Sequence, residues 1–226
     1  MEPSDQVQEL TQLMARLRSA TGCPWDREQT HASLKKYLVE EAAELLDAID
    51  DGDDARLADE LGDVLLQVVF HCQLAAEARR FDLQDVARHL NDKLRRRHPH
   101  VFGDAEVKTA EEQTRVWEEL KARERAEKLG DGATPSALDG VALGLPALLR
   151  AQKLVRRARR ADLDVDASSL DATWNAFRST RSAESLGALL LALAVDASEL
   201  GVDAEIALRE ATGRFEVEMR RREKPE

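Results

Sequence analysis

The chain has 226 residues but only two cysteines, few aromatics and no long apolar run. Cys23 and Cys72 form no CxxC or Cys/His spacing. That excludes a zinc ribbon and a disulfide-stapled scaffold, and a reduced, cytoplasmic setting is expected. Aromatics make up 4% of the chain while charged residues make up 34%. With abundant Ala and Leu, that balance favours helices over sheet. No apolar stretch approaches the roughly 20 residues of a membrane span, and residues 1–17 contain no signal-peptide core, so no membrane association is expected. Cations are also in deficit: 33 Lys+Arg stand against 44 Asp+Glu, a net charge of −11. Direct nucleic-acid binding is therefore not expected, although a phosphate ligand remains compatible with a local basic cluster.

What the chain does have is paired acids. In Glu40-Glu41-Ala42-Ala43-Glu44, Glu41 and Glu44 lie three apart; in Glu60-Leu61-Gly62-Asp63, so do Glu60 and Asp63. On a helix each pair shares one side. The polar run Asp50-Asp51-Gly52-Asp53-Asp54 between them reads as a turn making the two helices antiparallel neighbours. Leu34, Leu38, Leu45, Ala48 and Ile49 form the apolar stripe of the first helix. Leu57, Leu61, Val64, Leu65 and Val68 are expected to face inward from the second. Converging carboxylates at a packed interface repel one another and are costly to desolvate without a positive partner. A hard cation such as Mg²⁺ fits, since it takes carboxylate oxygens and water, with Mn²⁺ as a substitute. The plain alternative is the solvated rim of an acidic helix.

In chain order, a first helix is expected to about residue 18, followed by a loop over 19–30. Trp25 in that loop is either a core plug or a stacking platform for a flat ligand. Thr30 is positioned to cap the acidic helix, expected to run to about residue 49. A long helix over 55–78 follows, apolar nearly all round over 64–70. Asp82 opens the next helix, which ends in Lys93, Arg95, Arg96, Arg97 and His98 before Pro99. Helix-dipole compensation accounts for some of these cations. The functional reading has Lys93 with Arg96 or Arg97 on phosphate oxygens and Asn91 on a sugar or base. A charged helix is expected over 109–128. Residues 129–140 are Gly-rich and read as a linker. Further helices are expected over 146–160, 172–179, 183–200 and 203–222.

The second half faintly repeats the first. Aligning Leu61-Gly62 with Leu186-Gly187 sets Glu60 against Ser185, Asp63 against Ala188, Asn91 against Thr212 and Lys93 against Arg214. Apolar positions are kept and the acids are not, which indicates that the N-terminal acids serve something besides folding. The expected organisation is all-α: a helical domain over 1–128 that carries the acids, a linker over 129–145 and a degenerate copy over 146–226.

Gly22-Cys23-Pro24-Trp25-Asp26-Arg27-Glu28-Gln29-Thr30, the EExxE of 40–44, the ExxD of 60–63 and the run from Lys93 to His-Pro-His-Val-Phe at 98–102 together resemble the MazG nucleoside triphosphate pyrophosphohydrolases. These belong to the all-α NTP pyrophosphatases, with the dimeric dUTPases and phosphoribosyl-ATP pyrophosphohydrolase. The resemblance implies two tandem helical bundles, a homodimer, and Mg²⁺-dependent conversion of NTP or dNTP to the monophosphate and pyrophosphate, with clearance of non-standard nucleotides as a role. It implies Glu41, Glu44, Glu60 and Asp63 as metal ligands. Lys93, Arg96 and Arg97 fall around the triphosphate, with Trp25 and Asn91 near the nucleoside. Glu40 or one of the metal acids would serve as base for the attacking water. The chain departs from the pattern in its second half, where the acids are missing and Val165 stands where a base-side aromatic is expected. Two other readings are a non-catalytic helical regulatory protein and a di-iron carboxylate bundle. The second needs two Glu-x-x-His motifs, and only Glu28-Gln29-Thr30-His31 supplies one.

Overall fold

Eleven α-helices make up the described residues of a computed structural model, which describes residues 3–103, 109–129, 136–165 and 169–223. Among those residues there is no strand, as the composition implies. The chain divides into two compact units, Met1–Leu120 and Lys121–Glu226. Part of the expected linker, residues 130–135, lies outside the described residues.

In the first unit α1 (Pro3–Leu17), α3 (Lys35–Asp51), α4 (Asp54–Glu77) and α5 (Leu83–Arg97) assemble around α4, which contacts each of the other three. α3 and α4 form the helical hairpin that the polar run predicts. Gly52 ends α3 at φ 67°, a left-handed conformation that glycine adopts without a Cβ penalty. Asp53 then caps α4, accepting from the backbone N–H of Ala55 at 2.9 Å and Arg56 at 3.3 Å. α5 begins with a reciprocal capping box between Asp82 and Asp85. Pro99 ends α5 and starts the short α6 (Pro99–Phe102). Thr30 does not cap α3: its Oγ1 accepts from the Ser33 N–H at 3.1 Å and closes a turn that delivers the chain to Lys35.

The core of this unit is Met14, Leu34, Val69 and Phe70, with Leu10, Tyr37, Leu66, Leu74 and Leu83 packed around it. The expected inward face of α4 needs correction. Leu57 and Val64 are half-buried, but Leu61, Leu65 and Val68 are exposed, as are Leu38 and Ile49 on α3. An α-helix in a bundle of this size covers about one stripe of its circumference. α4 is apolar beyond that stripe, so the surplus reaches the surface.

One cation ties the loop to this core. Arg18, its side chain 8% exposed, grips Glu77 bidentately with both bonds at 2.8 Å. The same guanidinium donates to the carbonyls of Asp26 and Gln29 and lies over the Phe70 ring. Its hydrogen bond is the main reason that the Glu77 carboxyl sits below the usual range. The loop therefore carries a short helix, α2 (Pro24–Glu28), which the sequence does not announce.

Helix α7 (Ala110–Leu129) follows, and Lys121–Glu226 contains α8 (Ala147–Arg160), α9 (Leu170–Thr180), α10 (Ala183–Glu199) and α11 (Ala204–Glu223). α10 packs on the other three of these, burying Leu189, Ala192, Ala194 and Val195 with Val155 of α8. Buried Gln152 is fully satisfied: it donates to the Val202 carbonyl at 2.8 Å and accepts from the Ala204 N–H at 3.0 Å.

Where the chain enters α3, His31 meets His71 of α4, Nδ1 to Nδ1 at 2.8 Å with the ring planes 8° apart. Arg80 lies 2.6 Å from His31 Nε2. Arginine only donates, so His31 Nε2 accepts and its proton sits on Nδ1, donating to His71. Both rings are thus neutral, with the His71 proton on Nε2. Burial is the main reason that the His71 pKa lies below 6.5, and His31 adds to the lowering when its own ring is protonated. The unfolded chain accordingly binds more protons in the window between that lowered value and the ordinary one. Stability is complete above about pH 6.5 and is lost as pH falls through the folded pKa, with a slope of at most about 1.4 kcal/mol per pH unit for one group. We predict that the melting temperature of the full chain falls between pH 7 and pH 5, and that His71→Gln removes part of the slope. Melts of equal slope for both proteins would contradict this.

Candidate metal centre

The α3–α4 hairpin determines which acids meet. Glu41 on α3 and Glu60 and Asp63 on α4 bring one carboxylate oxygen each within 4.8 Å of one another. Glu41 and Glu60 are half-buried and Asp63 is exposed, so the cluster opens to solvent on one side. Glu44 lies one turn beyond Glu41 and Glu40 precedes it; both are exposed. Partial burial raises the Glu41 carboxyl above its ordinary pKa of 4.5, and Asp63, Glu44, Glu60 and Glu40 add to the rise in that order. Arg56 offsets part of this charge: its Nε stands 3.8 Å from Glu60 Oε1, and it also pairs with Asp51.

This donor set fits a hard divalent cation. All its atoms are carboxylate oxygens, and their negative charge is only partly neutralised. Oxygens around one Mg²⁺ at about 2.1 Å lie roughly 3 to 4.2 Å apart, so a small inward movement of the side chains suffices. A di-iron bundle would need histidine partners, and the three-residue group contains none.

The other expected residues fall on neighbouring elements. Trp25 on α2 is 49% exposed, so it does not plug the core. Its ring meets Tyr37 of α3 edge to face, 5.7 Å between centroids. Asn91, Lys93, Arg96 and Arg97 are in the last turns of α5, with Lys93 and Arg97 half-buried and Asn91 and Arg96 exposed. The Arg97 carbonyl accepts from Gln113 of α7 at 3.4 Å. In the second unit Val165 is half-buried, and Ser185, set against Glu60 in the sequence alignment above, completes the capping box with Ser182 at the start of α10.

Two residues passed unnoticed in the sequence. Tyr37 is the only tyrosine, and Gln67 interrupts the apolar run Val64-Leu65-Leu66-Gln67-Val68-Val69-Phe70. A polar residue inside an apolar run was the available signal.

Comparison with known proteins agrees with this arrangement. The MazG nucleotide pyrophosphohydrolase domain matches residues 29–102, which contain all three clustered acids and the basic end of α5. The chain is 41% identical over 227 residues to a nucleoside triphosphate pyrophosphohydrolase of Escherichia coli, covering 94% of this chain and 85% of that protein. It is 41% identical to a nucleoside triphosphate pyrophosphohydrolase/pyrophosphatase of Thermotoga maritima, over 92% of this chain and 82% of that one. A nucleoside triphosphate pyrophosphohydrolase of Mycobacterium tuberculosis is 44% identical over 67% of this chain and 44% of its own length.

Removing one acid from a mutually repelling cluster relieves repulsion in the metal-free protein. Glu41→Gln should therefore leave the metal-free melting temperature unchanged or higher, while the added stability that Mg²⁺ gives the wild type shrinks. A variant that melts earlier without metal, yet is stabilised by Mg²⁺ as the wild type is, would refute the assignment.

Proposed function

The chain belongs to the MazG nucleotide pyrophosphohydrolase family, and on that premise we propose that it hydrolyses nucleoside triphosphates, NTP or dNTP, to the monophosphate and pyrophosphate. The observation that carries this reading is the convergence of Glu41, Glu60 and Asp63 within 4.8 Å on the α3–α4 hairpin. These acids, joined by Glu44, would hold Mg²⁺ or Mn²⁺. Bound there, the cation supplies positive charge to the phosphates and acidifies a water molecule.

The remaining roles belong to side chains. Glu40, exposed beside the cluster, accepts the proton of the attacking water, or one of the clustered acids does. Lys93, Arg96 and Arg97 at the end of α5 offset charge on the triphosphate and on the pyrophosphate leaving group. Trp25 stacks on the base, and Asn91 bonds the sugar or base. Clearance of non-standard nucleotides is the corresponding role. Cys23 and Cys72 are both free thiols, which suits the reducing cytoplasm, and no single helix among the described residues is long and apolar enough to cross a membrane.

On this reading residues 1–128 are the catalytic domain, 129–145 the linker, and 146–226 a degenerate copy. In that copy Ser185 and Ala188 replace two acids, and Ser185 is the second member of the capping box that Ser182 opens. The exposed apolar side chains of the hairpin have a role as well. Val39 at 70%, Ile49 and Leu61 at over half, and Leu38, Leu46 and Leu65 at about 40% exposure flank the acid cluster on the same two helices. An apolar surface of this kind is characteristic of an interface, and the occupant proposed is a second copy of the chain.

Incubation with a panel of NTPs and dNTPs plus Mg²⁺, scoring pyrophosphate against orthophosphate, tests the activity. Release of orthophosphate alone, or of nothing, overturns it. In the same assay Asp63→Asn should lower turnover by at least about a hundredfold, the scale of losing a partner to transition-state charge. Light scattering tests the assembly: a particle of twice the 25.2 kDa chain mass is expected, and an active monomer at micromolar concentration would refute it.

A further inference from the structure

Gln67 is 5% exposed on α4, and its Oε1 has no hydrogen-bond partner among the described residues. Buried amides are normally satisfied, because an unpaired polar atom loses its water without a replacement. Buried Gln152 is satisfied at both ends. Buried Thr173 donates to the Leu170 carbonyl at 2.9 Å. Among the described residues His100, Gln113 and Arg150 also hold a buried atom without a partner, but these three residues are half-buried, whereas Gln67 is buried as a whole.

Its position gives the reason. Gln67 is four residues beyond Asp63 and seven beyond Glu60, so all three lie on one face of α4. The helical rise over four residues puts Gln67 about 6 Å beyond Asp63 along the axis, a separation that a ribose bridges between phosphate and base. Across the hairpin, Glu41 meets Asp63 and Leu34 joins Phe70 in the core. The antiparallel register between those pairs sets Tyr37 at the level of Leu66 and Gln67. The Tyr37 ring in turn holds Trp25 edge to face at 5.7 Å. Beyond the acids, therefore, the amide and Tyr37 stand at one level of the hairpin. That is the order in which phosphate and base would be met.

We infer that Gln67 is a specificity-determining residue: its buried carboxamide hydrogen-bonds the edge of the nucleobase, with Oε1 accepting from an amino or ring N–H, while Trp25 takes the base's face. This rests on the nucleotide reading above. A carboxamide turned by 180° would offer N–H at the same point, so the contact discriminates between bases in either orientation. Stacking is tolerant of base identity because every base has a π-face. An edge contact is not tolerant, since a base that lacks the matching group leaves the buried amide unpaired.

The experiment uses the full chain with Mg²⁺. KM and kcat are measured for ATP, CTP, GTP and UTP, and dissociation constants for their α,β-methylene analogues and for ribose 5-triphosphate, which has no base. Wild type is compared with Gln67→Leu, Gln67→Met and Trp25→Ala. Gln67→Leu should raise KM about tenfold for the best-bound base, the scale of one hydrogen bond. Its kcat should change little, because the contact binds ground and transition states alike. Preference among the four bases should flatten, affinity for ribose 5-triphosphate should hold, and the melting temperature should hold or rise. Trp25→Ala should weaken all four bases similarly. Gln67→Met guards against a shape-specific effect of leucine. An equal loss for all four bases and the base-less triphosphate, or a lower melting temperature of both variants with base preference intact, would make Gln67 a packing residue and overturn the inference. If the wild type releases pyrophosphate from no triphosphate, the nucleotide reading itself fails, and that result needs no variant.

Discussion

The antiparallel pairing of α3 and α4 fixes everything at the candidate site. Gly52 adopts a left-handed φ of 67° and Asp53 caps the next helix, so the reversal takes two residues. A turn this short leaves little freedom in register. Once Leu34 and Phe70 are packed in the same core, Glu41 must come against Glu60 and Asp63, and His31 against His71. A one-turn slip would separate the acids by about 5 Å and expose the core residues that hold the pair together.

Stability and chemistry are divided along this hairpin. The middle of the hairpin carries like charges, and burial and their mutual repulsion raise the Glu41 carboxyl. The end away from the turn carries the well-packed groups: the Met14, Leu34, Val69 and Phe70 core, the neutral histidine pair, and Arg18 bound to Glu77. Packing at that end offsets a strained electrostatic arrangement in the middle. The same division explains why Arg18 spans α1, the loop and α4. It holds the short helix of Trp25 against the hairpin.

In the second unit α10 packs against α8, α9 and α11. The unit's buried glutamine joins α8 to the start of α11, and Ser185, aligned with Glu60 in the sequence, completes the capping box with Ser182. These polar groups do local structural work.

Much was legible in the sequence because it is local. Composition determined an all-α chain, and period-3.6 patterning placed most helices to within a few residues. The i,i+3 acids and the glycine turn predicted a carboxylate hairpin, and three of its four expected acids meet. The resemblance carried by the 22–30, 40–44, 60–63 and 93–102 motifs named the family that comparison then showed. What the sequence could not supply depends on contacts between residues far apart in the chain. Periodicity shows that Leu61, Leu65 and Val68 are apolar, but not that a single chain lacks the elements to cover them. Thr30 has the chemistry of a helix cap, but the Ser33 turn takes it first. Trp25 is kept out of the core by Arg18 and Tyr37, which are distant or unremarkable in sequence. Gln67 looked like one polar letter in an apolar run. Only tertiary burial made its unpaired oxygen visible, because a hydrogen bond that is missing has no signature in the order of residues.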